Sequence, residues 1–148
     1  MNKTFNRVRS AKDMTITALF IIIGCVLAMI PDFPGVSITG YLLIFTGIVL
    51  AVVLKTAYKD EETGKNYHKK EYYFQKALHS TIMADIQSKP ESIDISQEDS
   101  GSSIKLEVYY SKKHGNAFLQ LFEYIPYDYE PCSDMYEYEV ARVAKLIK

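Results

Sequence analysis

The chain has 148 residues, a formal net charge of −1, two cysteines, twelve tyrosines and no tryptophan. A balance this near neutrality gives no basic stripe for a nucleic-acid polymer, and no CxxC or Cys/His spacing suggests a zinc site. The mean hydropathy, close to zero, is that of an ordinary soluble protein, but it averages two unlike halves.

Residues 1–13 are a basic N-terminal segment, with Lys3, Arg7, Arg9 and Lys12 against Asp13. Two apolar runs follow, at 14–30 and 36–54, and neither contains Asp, Glu, Lys or Arg. Each has about the length that crosses a roughly 30 Å hydrocarbon core as a helix. Between them the turn at 31–35 reads PDFPG, which stops a helix and reverses the chain. Residues 14–54 therefore predict a transmembrane helical hairpin. The first run is longer than the apolar core of a typical signal peptide and a second span follows closely, which favours a retained anchor. Basic residues precede the first run, Lys55, Lys59 and Lys65 follow the second, and the turn has none. That asymmetry places both termini in the cytoplasm, in an integral protein of the plasma or bacterial inner membrane.

Small residues recur along both runs. Gly24 and Ala28 form one small-xxx-small pair, Gly47 and Ala51 another, with Ala18 and Gly40 near the matching levels. These positions predict close packing within the hairpin or between copies of it. No ionisable side chain lies at membrane depth, so the spans read as anchors rather than as a transport path.

Residues 55–66 are polar and mixed in charge, a juxtamembrane linker or an extension of the second helix, with lysines placed near anionic headgroups. From Asp60 onward, 16 acidic residues face 11 basic ones. Residues 67–148 predict a small α+β domain. Phe74, Leu78, Ile82 and Ile86 make an i, i+4 row in a helix over 67–88, which Pro90 ends. Three strands are expected at 92–97, 104–110 and 117–125, joined by turns at 99–103 and 112–116. Residues 127–134 look irregular, and Ser133 or Asp134 would cap a last helix with Tyr136, Val140, Val143, Ala144 and Ile147 on one face. The expected fold is a two-layer α-β-β-β-α domain with an antiparallel sheet.

The third strand is apolar on both faces. Ala117, Leu119 and Leu121 suit the core. The opposite face carries Phe118, Phe122 and Tyr124, with Tyr109 a cross-strand neighbour and Tyr127 and Tyr129 just beyond. Such a face is expected to meet a protein partner or another copy of the chain. Lys112, Lys113 and His114, in a turn with Gly115, are the one candidate for a small anionic ligand.

Catalytic patterns are missing. No GxSxG, HExxH, Walker A or GxGxxG occurs, and His79 and Ser80, adjacent on a helix, diverge. His68 and His114 read as solvated, and Cys132 has no evident activating partner. Glu130, Asp134, Glu137 and Glu139 form an acidic cluster; helix-start carboxylates explain two of them, and a metal site is the weaker reading. No enzyme, cofactor or metal is expected. The leading expectation is a membrane-anchored, non-enzymatic interaction or sensing module. One alternative is a ligand-gated membrane effector: two N-terminal spans and a small cytoplasmic domain make a layout similar to that of some bacterial defence effectors that respond to cyclic nucleotides. That likeness is one of layout and carries over no residue. A membrane-bound immunity protein is the other alternative.

Overall fold

The computed structural model describes residues 3–30, 33–99 and 103–148. Pro31 and Asp32 of the expected reversal, and residues 100–102 of the expected turn, lie outside the described residues. The chain forms two compact units, one of Arg7–Ala57 and one of Met1–Asn6 with Tyr58–Lys148.

The first unit is a helix pair, α1 (Ala11–Ala28) and α2 (Pro34–Val53). Ser10 and Asp13 form a capping box at the start of α1. The Asp13 amide donates to Ser10 Oγ at 3.1 Å, and the Ser10 amide donates back to the carboxylate at 2.9 Å. The same carboxylate accepts from the Thr56 amide at 2.8 Å and the Thr56 hydroxyl at 2.7 Å, which ties the chain leaving α2 to the first turn of α1. Pro34 opens α2, where its missing N–H costs nothing. Thr39 and Thr46 donate to the Gly35 and Leu42 carbonyls of their own helix.

Both helices are long and apolar enough to cross a membrane, yet only 11% of each apolar window is buried within the chain. Leu19, Ile22, Val26, Leu42, Phe45 and Val52 face outward. A helix at the centre of a soluble core buries most such side chains; these are half or more exposed within the chain.

The second unit is an antiparallel sheet domain. Its strands are β1 (Phe5–Val8), whose first two residues belong to this unit, β2 (Ala57–Asp60), β3 (Asn66–Phe74), β4 (Ile104–Ser111), β5 (Asn116–Ile125), β6 (Asp128–Pro131) and β7 (Tyr136–Glu139). They run in the order β1-β2-β3-β4-β5-β6, with β7 on the same edge of β5 as β6. A short helix, α3 (His79–Ser88), follows β3. On one face Tyr72, Phe74, Ile104, Leu106, Val108, Leu119 and Leu121 pack with Ile82 and Ile86 of α3 and with Val143, Leu146 and Ile147. On the other, Tyr67, Tyr109, Phe118 and Met135 form a second core, against which Phe5 and Tyr58 pack.

Five expectations are corrected. Residues 67–74, read as the start of a helix, are β3. Tyr67, Lys69, Glu71 and Tyr73 alternate with His68, Lys70, Tyr72 and Phe74, and the aromatic, two-faced pattern suits a strand bordered by two others. The i, i+4 row holds only beyond Gln75, whose extended backbone (φ −68°, ψ 149°) separates strand from helix. Residues 92–97 form 3₁₀ turns instead of a strand, because the Asp94 carboxylate captures the Ser96 amide and hydroxyl at 3.0 and 2.7 Å. Residues 57–60, assigned to a linker or helix extension, are β2. The last expected helix is absent: Tyr136-Glu137-Tyr138-Glu139 has a period of two and pairs as β7 with β5, and a 3₁₀ turn over Ala144–Ile147 delivers Leu146 and Ile147 to the core. The segment expected to be irregular contains β6.

Candidate functional site

The six aromatic residues expected on one surface divide into two groups. Tyr109 (8% exposed) and Phe118 (1%) are buried in the second core, where Phe5 stacks on Tyr109 with ring centroids 4.1 Å apart and planes 7° from parallel. They are core residues, covered by a segment that precedes the helix pair in sequence. Phe122, Tyr124, Tyr127 and Tyr129 lie at the far end of the sheet around the β5–β6 hairpin.

That hairpin carries a backbone conformation that no other non-glycine among the described residues adopts. Ile125 pairs with Asp128, so Pro126 and Tyr127 form a two-residue loop. Tyr127 has φ +84°, while its side chain is 97% exposed. Proline followed by a residue of positive φ is the pattern of a type II turn, whose second position favours glycine. A tyrosine there costs about 1–2 kcal/mol of backbone strain. Behind the tip, Tyr129 lies edge-on to Tyr124 at 5.2 Å and to Tyr73 at 6.0 Å. Lys105 Nζ sits 4.7 Å from the Phe122 ring centroid and 4.8 Å from that of Tyr129.

Lys105 links these rings to a buried charge ladder. Its ammonium lies 2.7 Å from Glu107, a carboxylate 5% exposed. Lys69 reaches the same oxygen at 2.7 Å and Glu71 at 2.6 Å. Burial works against the charge on Lys69, but the hydrogen bonds it donates to Glu107 and Glu71 outweigh it and hold its pKa above the usual lysine value. Burial and the Glu107 carboxylate likewise raise the Tyr109 phenol, which donates to Glu107 at 2.9 Å. The ladder links β3 to β4 beneath the aromatic hairpin.

The remaining candidates lie elsewhere. Lys112, Lys113 and His114 are exposed in the β4–β5 turn, at the opposite end of β5. Gly24, Gly40 and Gly47 are buried between α1 and α2, Ala28 abuts Gly40, Ala51 is half-buried, and Ala18 is exposed. Burial raises the Cys132 thiol. His79 Nε2 is buried with no hydrogen-bond partner. Among the described residues no three His, Cys, Asp or Glu side chains are grouped as metal ligands.

Sequence reasoning missed Tyr73, Lys69 and Lys105. The first two were hidden inside an expected helix. Lys105 falls within an expected strand, but nothing in its local pattern shows that Phe122 and Tyr129 flank it. Compared with protein-family models, curated proteins and solved structures, the chain matches none.

Proposed function

We propose that the chain is a membrane-anchored, non-enzymatic interaction module. The helix pair inserts as a hairpin, and the sheet domain, on the cytoplasmic side, binds a protein partner or its own copies through the β5–β6 hairpin. The carrying observation is Tyr127: a ring that touches almost nothing, held on a strained backbone where glycine would be easier, gains nothing for the fold and is suited to a partner. Tyr124 and Tyr129 extend it into a rigid aromatic ridge, the type of surface that supplies interface anchors at low entropic cost.

The same-side topology has its own support. Lys3 and Phe5, which precede α1, pack with residues that follow α2 in one compact unit. That packing supports a hairpin whose two ends emerge on one face of the bilayer, and the basic flanks favour the cytoplasmic face.

Tyr127→Gly separates binding from folding. It leaves the unfolding midpoint unchanged or raises it, since glycine relieves up to about 1 kcal/mol of strain after its own entropic cost. The same variant loses co-purification of partner or second copy from detergent-solubilised membranes. A variant that keeps every association, or that unfolds, overturns the proposal.

A further inference from the structure

A second site lies at the other end of the sheet. The β2–β3 turn and the β4–β5 turn border an open cleft of about 740 Å³, within the size range of small-ligand sites. Lys65 and Asn66 contribute from the first turn, His68 from β3, and Lys112, Lys113 and His114 from the second turn. Among the described residues no acidic side chain lines it. Elsewhere in this unit Lys69, Lys76, Lys105 and Arg142 each have a carboxylate within 3.1 Å. Lys65, Lys112 and Lys113 have none among the described residues; neither do Lys59, Lys89 and Lys145, and what sets the three apart is that they line one cleft. Two of the turn's amides are occupied, since His114 and Gly115 both donate to the Ser111 carbonyl, at 3.2 and 2.8 Å. Recognition there falls to the side chains.

Three like charges gathered in one concave site, without counter-charge, in a domain that is otherwise net acidic, repel one another until an anion enters. A cleft lined by one sign of charge also concentrates the field. We infer that this cleft binds a small phosphate-bearing anion, with Lys65, Lys112 and Lys113 as charge-assisted donors and His68, His114 and Asn66 completing the polar wall. An extended nucleic acid does not fit, because the domain as a whole is net acidic and has no basic stripe beyond this cleft. Two sources share this chemistry: a soluble phosphate compound, and a phospholipid headgroup, since Lys65 follows the last residue of α2 by only twelve positions. The ten residues of β5 place the cleft about 30 Å from the Tyr127 ridge, so the two sites are distinct.

Lysine acylation footprinting of the full chain in nanodiscs, read by mass spectrometry, tests this without a variant. In phosphatidylcholine discs, pyrophosphate at about ten times its dissociation constant slows modification of Lys65, Lys112 and Lys113 roughly tenfold, because about a tenth of the sites stay free. Lys89 and Lys145 serve as internal controls and keep their rates. If the natural ligand is a headgroup, the same three lysines are protected on exchanging phosphatidylcholine for phosphatidylglycerol with no pyrophosphate added. Unchanged rates in both arms, or equal slowing of the controls, overturns the proposal.

Discussion

Replacing Asp60 with alanine lowers the stability of the sheet domain by about 3–5 kcal/mol, the cost of stranding a buried ammonium without its counter-charge. Asp60 is fully buried, and its carboxylate accepts from Lys3 Nζ at 2.7 Å, the Thr63 hydroxyl at 2.6 Å and the Glu62 amide at 3.1 Å. It thereby joins the chain before α1 to the β2–β3 turn. Chemical denaturation of the full chain in detergent, followed by tyrosine circular dichroism, reads the loss. The double variant Lys3→Met/Asp60→Leu recovers part of it, because both charges leave together. The pH dependence has a definite sign. Burial opposes the Asp60 charge, but Lys3, Thr63 and the Glu62 amide prevail and lower its pKa. That stability is present above the ordinary carboxylate range, about pH 4, and is lost as pH falls through the depressed value. The hydrogen bond to Asp60 raises Lys3, so its share is present below the ordinary lysine value and is lost as pH rises through the elevated one.

The glycines of the helix pair follow a ranked series. A Cβ on Gly40 would lie 2.4 Å from the Ala28 amide nitrogen and 2.7 Å from the Gly24 carbonyl oxygen. Neither is able to swing aside. Gly40→Ala therefore forces the helices apart and costs about 3 kcal/mol or more. Gly24→Ala follows, with the Gly40 carbonyl oxygen and Ile44 amide nitrogen at 2.8 Å. Gly47→Ala is milder, since its nearest contact is the flexible Ile21 side chain at 2.6 Å. Gly35→Ala meets nothing within 4 Å and is neutral. SDS titration of the full chain in mixed micelles measures the order. If Gly24→Ala and Gly40→Ala instead leave the hairpin intact and dissociate a multimer, the small residues serve contacts between copies.

The parts legible in the sequence were those governed by local pattern. Two charge-free runs produced two apolar helices, and the alternation around Leu106 and Leu119 produced the paired β4 and β5. Segments whose state depends on distant partners were not legible. Tyr67 to Phe74 fits a helix as readily as a strand until β2 and β4 are known to border it. Residues 134–147 keep their apolar stripe, yet β5 had an open edge that Tyr136 and Tyr138 could pair with. The candidate surface divided for the same reason: nothing near Tyr109 or Phe118 signals that Phe5, more than a hundred positions upstream, covers them. Lys65 joins Lys112 and Lys113 only because two turns meet at one end of the sheet.

Membrane sidedness tests the central claim most directly. In a Cys25→Ser/Cys132→Ser background, which removes the half-buried Cys132 thiol, single cysteines replace Phe33, at the start of α2, and Ser96, on the sheet domain; both positions are exposed. A membrane-impermeant maleimide is applied to intact spheroplasts and again after lysis. An anchored cytoplasmic module predicts labelling of the Phe33 position in intact spheroplasts and of the Ser96 position only after lysis. Labelling of the Ser96 position before lysis, or release of the chain from the membrane fraction by alkaline carbonate, contradicts it.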